Sequence, residues 1–460
     1  MRHLRSAALV ALFSILLGAG AARAQDQSQN QTQPALRLSL ADAIRRALDE
    51  GTAARIATAR IGEAEAQALE ARSVLQPQLS GGLLTANESL NLQTFGFQPE
   101  PGEPPVVGPF NVIDAHLTVA MNVIDLAARR RFAAAQAGVR VSQEESRRTE
   151  NEVAAAVASL YVTLGRAASR IEEIGANVDL FERLRQLAID QKQAGVGTRL
   201  DTTRADIQLA RQRQSLLIAT NQRDLSRLAL LRAIGADLGA DVELTDDWSR
   251  LNEPVPSLDQ ALAAARQGRP ELTLLGERLR AAGLALEAAR AEKLPTLATQ
   301  AQATESGNRL KDLAWSRSFT ATVNVPLFTG RRTEARIAQA RSQQEQLVLQ
   351  QRDAERQVEQ EVRRALLLLE NARSRVELAE QNVRLAQDEL DLASDRFKAG
   401  VASSIEVDNA QTSLATARDL RIDALADEAQ ARFDLARATG EIRTLIPSTG
   451  STATAQNARF

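Results

Sequence analysis

Few residues in this chain could do covalent chemistry. It has no cysteine, which removes thiolate nucleophiles, thiolate metal ligands and disulfides together. Its two histidines are His3, close to the N-terminus, and His116. His116 has no second histidine to share a metal with, and nothing supports a Ser/His/Asp set through it. It reads as a polar residue on the polar face of its segment. No G-x-x-x-x-G-K-[ST] loop is present, so the chain does not burn ATP. No cofactor, metal or catalytic residue is expected. What remains is electrostatics. Asp201 and Arg204, three apart, could pair within the chain or across neighbouring helices, a surface pair of little energetic value. The formal charge of −2 gives no reason to expect nucleic acid.

The N-terminus reads as a secretory leader over residues 1–24. Arg2 and Arg5 give a basic start, and Ala7 to Leu17 is an apolar run too short to span a bilayer as a helix. Ala22-Arg23-Ala24 is a cleavage site of A-x-A type, so the mature chain is expected to begin at Gln25. Removing Arg2, Arg5 and Arg23 lowers the charge by three, to −5. Ala, Leu, Gln, Arg and Glu dominate while aromatics make up only 3%, a profile of long, closely packed helices rather than several thick cores. No later apolar stretch is long enough for a membrane helix. If the chain enters a membrane, it does so as strands.

The elements that position these residues occur twice. Ser39-Leu40-Ala41-Asp42-Ala43 returns as Ser257-Leu258-Asp259-Gln260-Ala261, and Pro77-Gln78-Leu79 as Pro295-Thr296-Leu297. Asn122-Val123 returns as Asn324-Val325, Ala194-Gly195-Val196 as Ala399-Gly400-Val401, and Ala233-Ile234-Gly235 as Ala438-Thr439-Gly440. Each copy reads helix, strand pair, very long helix, helix. Leu117, Val119, Met121 and Val123 alternate with polar neighbours, as do Phe319, Ala321, Val323 and Val325. Such alternation fits a half-buried sheet or a barrel wall between lipid and water. Gln300, Gln302 and Thr304 share a face in the partner strand, whereas Leu83-Leu84 blurs the first one. The Pro/Gly-rich segment from Phe97 to Pro109 reads as a long loop.

From Arg331 to Ala399 there is no proline or glycine. One helix of that length is about 100 Å long. Its seam, Leu369, Ala372, Val376, Ala379, Val383, Ala386, Leu390, Ala393 and Phe397, keeps a coiled-coil rhythm. Leu164, Ala167, Ile171, Ile174, Val178 and Phe181 do the same in the first copy. The expected layout is a structureless start over 25–37, then a first repeat over 38–235 with strands near 77–93 and 110–126 and a helical hairpin near 129–235. A connector at the equator of the helices covers 236–256. The second repeat covers 257–446, with strands near 295–306 and 315–328 and a hairpin near 331–440, and a structureless tail covers 447–460.

Four strands cannot close a barrel, and an open sheet edge in lipid strands backbone groups at several kcal/mol each. Several chains lending four strands each to one barrel solve this, related by a simple rotation because all must point the same way. Two, three or four chains satisfy the physics.

With these features the chain resembles the TolC-type outer-membrane efflux proteins, over about residues 38–446. The resemblance rests on the duplicated order and on both glycine turns, the second reading Phe397-Lys398-Ala399-Gly400-Val401-Ala402-Ser403-Ser404-Ile405-Glu406-Val407-Asp408-Asn409. It implies mixed α and transmembrane β architecture. Two tandem helix–strand–strand–long helix–helix repeats trimerise into a 12-stranded outer-membrane β-barrel, continued by a periplasmic α-helical coiled-coil barrel. The implied function is the exit duct of a tripartite efflux or type I secretion system. It passively conducts substrates delivered by an inner-membrane pump of RND or ABC type through a periplasmic adaptor. The implied location is the outer membrane of a Gram-negative cell, in contact with its lipid.

In that family acids line the periplasmic mouth just past the second turn. The first falls on Glu406; the second falls on Asn409, a departure from the common Asp, with Asp408 beside it and Asp201 at the position matching Glu406 in the first copy. A carboxylate ring there would favour cations. The tyrosine and arginine that lock some closed mouths correspond to Phe397 and Ala402, so a lock built from those groups is not expected. Gly195, Val196, Gly400 and Val401 are the hairpin tips and the expected adaptor contacts. Two rival readings are a periplasmic adaptor and an exported structural coiled-coil protein. An adaptor usually carries one hairpin, and a coiled coil needs no alternating strands.

Overall fold

The computed structural model describes residues 35–97, 102, 104–247, 255–399, 401 and 404–445. The leader, the tail from 447, and the parts of the start and connector at 25–34 and 248–254 lie outside these residues. Strand β1 (Leu36–Leu38) precedes helices α1 (Leu40–Asp49) and α2 (Thr52–Ser73). Strands β2 (Gln78–Asn91) and β3 (Val106–Ile124) lead into α3 (Leu126–Gln193) and α4 (Arg199–Ala233). After β4 (Val242–Leu244) come α5 (Leu258–Gly268) and α6 (Pro270–Ala291), then β5 (Thr296–Gly307) and β6 (Ala314–Asn324). Helices α7 (Arg332–Lys398) and α8 (Ser404–Thr439) finish the order.

Side chains that satisfy orphan N–H groups start the helices. Ser39 Oγ accepts from Asp42 N at 3.1 Å, and Asp125 Oδ1 accepts from Ala128 N at 2.8 Å. Ser257 and Gln260 cap each other reciprocally at the start of α5.

The four long strands form one antiparallel sheet in the order β2-β3-β5-β6. Its register sorts the side chains. Leu79 faces Val119, Gly81 faces Leu117 and Leu83 faces Ala115 on the apolar side. Ala301 stands between Val119 and Phe319 on that same side. Leu84 pairs with Asp114 on the other side, with His116, Gln300, Gln302 and Thr304. The Leu83-Leu84 ambiguity thus resolves with one leucine on each face. Leu79, Leu83, Phe319 and Val323 are all largely exposed within the single chain.

Three expectations are corrected. Strand β3 begins at Val106, inside the segment expected to be loop, and Pro109 lies within it. The register slips between Glu88 and Leu90, opposite Gly108 and Pro109, so a bulge accommodates the proline that lacks an N–H. Strand β6 ends at Asn324 rather than near 328, because Pro326 cannot continue a ladder. Leu36 to Leu38, placed partly in the structureless start, pair in parallel with Val242 to Leu244 of the connector.

Helices α3 and α7 have 68 and 67 residues, about 100 Å each. At the far end the helices lie side by side in the order α4-α3-α8-α7; near the sheet the order is α2-α3-α6-α7. Small residues set their closeness. Ala372, Ala379, Ala386 and Ala393 are buried at seven-residue intervals, and Leu390, Val383 and Leu414 fill the space between. Val178, Phe181 and Leu209 do the same between α3 and α4.

Two denser cores lie where the short helices dock. Leu38, Ile44, Val157, Tyr161, Leu230 and Ile234 form the first, and Ala261, Val362, Leu369 and Leu435 belong to the second. The buried Tyr161 hydroxyl donates to Leu38 O at 3.0 Å and accepts from Asp246 N at 3.3 Å. Asp246 Oδ2 in turn accepts from Leu40 N at 2.7 Å. Those bonds fasten the N-terminal strand and the connector to α3.

Candidate functional site

The two hairpin ends lie at the pole opposite the sheet. In the first, Gly195 takes φ 79°, a left-handed conformation that favours glycine, and the chain reverses there. Gly195 N bonds to Lys192 O at 3.1 Å and Val196 N to Gln191 O at 3.0 Å, which closes α3. Val196 and Val401 project into solvent at 80% and 69% exposure. Gly400, Ala402 and Ser403 lie outside the described residues, as does the Phe397 side chain, so the lock positions fall there too.

Asp201 does local work. Its Oδ2 accepts from Thr198 Oγ1 at 2.6 Å and from Thr198 N at 2.9 Å, while Thr198 Oγ1 accepts from Asp201 N at 3.3 Å. This capping box starts α4. The Thr198 hydroxyl, then its backbone N–H, holds the Asp201 carboxyl below the ordinary carboxylate range. Arg204 makes no close ion pair with Asp201 among the described residues. Its charge acts at longer range on Asp201 and on Asp408 of the second hairpin.

Glu406 is half-buried and ion-paired, its Oε1 3.1 Å from Arg396 Nε across the turn. Asp408 is half-buried too. Burial pushes its carboxyl above the ordinary value, against a smaller opposing pull from Arg204. Asn409 is exposed. The fold therefore gathers Asp201, Glu406, Asp408 and Asn409 at one pole, but gives them different roles.

Arg396 is the site residue that sequence reasoning missed. Residues at similar distances either side of a reversal face one another, which is the signal that finds it. Arg185 and Asp206 obey the same rule around Gly195, at 2.6 Å. Farther from the tips, Arg170 reaches Asp419 at 3.3 Å and Asp423 at 3.4 Å, and Arg418 reaches Glu173 at 3.4 Å. These pairs tie α3 to α8, and so one hairpin to the other. At the opposite pole, His116 Nδ1 lies 2.7 Å from Asp114 Oδ1 on the polar face of the sheet.

A family model described as outer membrane efflux protein matches residues 43–236 and 261–441. The outer membrane efflux protein BepC of Brucella suis is 26% identical over 322 residues, covering 68% of this chain and 69% of its own. The pyoverdine export outer membrane protein OpmQ of Pseudomonas aeruginosa is 25% identical over 406 residues, covering 86% and 84%. Among solved structures, the CmeC outer membrane channel of Campylobacter jejuni superposes with a TM-score of 0.76 at 16% identity, covering 87% of this chain and 85% of that one.

Proposed function

This chain belongs to the outer membrane efflux protein family, and from that premise we propose that it works as a homotrimeric exit duct. Its place is the outer membrane, and its business is efflux. Two tandem copies of one helix–strand–helix unit supply, per chain, a third of a twelve-stranded barrel and a third of a twelve-helix tunnel.

The observation that carries this reading is the pair of free sheet edges. Among the described residues, strands β2 and β6 each have one partner within the chain. All three pairings are antiparallel, so the two edge strands run in opposite directions. The β6 edge of one copy can therefore continue antiparallel onto β2 of the next, and the ring closes with no exposed edge. The apolar face then meets lipid and the polar face, with His116, Gln300 and Gln302, lines water.

The helices support the same closure. α7 exposes Leu378, Leu385 and Leu392, and α4 exposes Leu217, Ile218 and Leu225, all more than half accessible. These rows lie on the two edge helices of the α4-α3-α8-α7 layer, where a neighbouring copy would cover them.

The hairpin pole would be the periplasmic mouth. Asp201, Glu406 and Asp408 would supply its carboxylates, with Asn409 beside Asp408 at the second family position, and the exposed Val196 and Val401 with Gly195 and Gly400 would meet the adaptor. Since the chain has no nucleotide loop, an inner-membrane pump would supply the energy. The adaptor and the structural coiled-coil readings fare worse, because neither uses a four-stranded sheet with an exposed apolar face.

The test is the mass of the protein purified from outer membranes in mild detergent, measured by light scattering with detergent mass subtracted. Three chains per particle are expected. A monomer that stays soluble without detergent would refute the shared barrel.

A further inference from the structure

We propose that Arg317 and Trp315 form a docking point for the phosphate of an outer-leaflet lipid on the lipid-facing wall of the barrel. This rests on the barrel reading above.

Strand β6 runs from the outer turn back toward the helices, so its first residues lie near the outer surface. Register places Arg317 opposite Ala303, and Phe319 opposite Ala301, on the apolar face. Arg317 is therefore a cation in a row of lipid-facing side chains. Trp315, two residues closer to the turn, is where an aromatic girdle is expected at the interface. The Arg317 guanidinium carbon stands 5.9 Å from the Trp315 ring centroid. That is within cation–π range and brings the charge up toward the headgroup level.

Arg317 makes no ion pair among the described residues. A guanidinium held at a lipid surface without a carboxylate partner needs another anion. Lipid phosphate is the anion present at that depth, and its geometry suits the fork of N–H donors. The turn above adds Arg309 and Lys311 against one acid, Asp312. Below, Phe319 and Val323 continue the row where acyl chains would lie.

Glu305 must be weighed. It faces Trp315 from β5 on the same side of the sheet, diagonal to Arg317, and is exposed. It is the protein's own competitor for the guanidinium. The two readings differ in sign: if phosphate is the partner, neutralising Glu305 strengthens lipid binding. The matching position in the first copy is Ala115, so each chain carries a single such point.

The test uses the full chain in neutral detergent, its mass first fixed by light scattering. Native mass spectrometry then counts retained bisphosphorylated lipid A, with the dephosphorylated lipid and inorganic phosphate as comparison probes. The intact protein is expected to retain the phosphorylated lipid. Arg317→Gln should weaken retention roughly tenfold, the scale of one charge-assisted hydrogen bond. Glu305→Gln should strengthen it, and Arg309→Gln with Lys311→Gln should weaken it less than Arg317→Gln. A trimer whose retention is unchanged in Arg317→Gln overturns the inference alone. So does equal retention of the dephosphorylated lipid, or displacement of the lipid by inorganic phosphate at matched concentration. A chain that is monomeric without detergent overturns the barrel, and this inference with it.

Discussion

Arg269 Nη2 stands 2.8 Å from Glu361 Oε2, and the arginine is only 5% exposed. The same guanidinium meets Glu271 Oε2 at 3.0 Å and lies 3.4 Å from the carbonyls of Arg437 and Ala438. One side chain thus joins the start of α6, the middle of α7 and the end of α8. Glu361 Oε2 has no aligned hydrogen bond among the described residues, so its tie to Arg269 is Coulombic. The backbones are tight here as well. A Cβ on Gly440 would come within 2.4 Å of the Gly268 carbonyl, at a glycine whose φ is already 79°.

Replacing Arg269 by Met should be costly. It takes the nearest cation from the partly buried Glu361 and Glu271, leaving Glu361 only the more distant Arg437, and leaves Ala438 O without its donor while Arg437 O keeps Gly440 N. Breaking one side of a buried pair costs about 3–5 kcal/mol. The double replacement Arg269→Met/Glu361→Gln should lose less than Arg269→Met alone, because it removes one stranded charge. Denaturant midpoints of the purified protein check both. Equal stability of Arg269→Met and the parent would show that the joint is held by packing instead.

Tyr161 makes a different kind of tie. Burial pushes its hydroxyl up to about 12, from an ordinary value near 10. The folded state therefore holds that proton more tightly than the unfolded state does. Its contribution is full below about pH 10 and declines as pH rises toward 12. Tyr161→Phe should cost about 1–2 kcal/mol at neutral pH, since Asp246 N loses its partner and Leu38 O is left with Thr245 N alone. It should also flatten the alkaline slope. Circular dichroism against denaturant at several pH values reads both effects; an identical alkaline slope in the variant would discard the assignment.

These two ties show where the sequence is legible. Helix α7 reads off directly, because 67 residues without proline or glycine and with a repeating seam have no other good solution. Helix α3 is just as long although Gly138, Gly165 and Gly175 lie inside it; packing against neighbouring helices outweighs about 1 kcal/mol per glycine. The apolar faces of β3 and β6 are legible from alternation. The β1–β4 pairing is not, since three residues carry no period and the partners are distant in the chain. Of the proposed mouth, the acids can be placed from the turn glycines. Their differences cannot: Thr198 on Asp201, Arg396 on Glu406 and burial on Asp408 are tertiary facts.

Those differences predict how the proposed mouth responds to charge and pH. Glu406→Gln removes one negative charge and leaves that of Arg396 unbalanced, so the proposed mouth becomes more positive by one charge per chain. Cation preference, read as reversal potential across a bilayer with a KCl gradient, should fall. On acidification, Asp408 should neutralise before Asp201, because burial raises the one carboxyl and the Thr198 hydrogen bonds lower the other. Cation preference should therefore fall in steps, and Asp408→Asn should erase the one of these two that comes at higher pH. Selectivity that ignores Glu406→Gln would remove these residues from the mouth.

The helical wall offers the most direct test of assembly. Leu378, Leu385 and Leu392 stand seven residues apart on α7, each well exposed in the single chain, while Ala379, Ala386 and Ala393 beside them are buried against α8. A helix with two apolar seams has two neighbours, and the chain supplies only one of them along that stretch. Covering a leucine is worth about 1.5–3 kcal/mol, and the row recurs in every copy. Leu385→Lys should leave the α7–α8 hairpin folded, because it touches only the outer seam. It should loosen the assembly, lowering the temperature at which light scattering in detergent reports loss of the three-chain mass. Ala386→Lys, one residue away on the inner seam, should instead unfold the hairpin and lower helical ellipticity. If Leu385→Lys leaves the assembly as heat-resistant as the parent, the α7 row does not face a neighbouring copy.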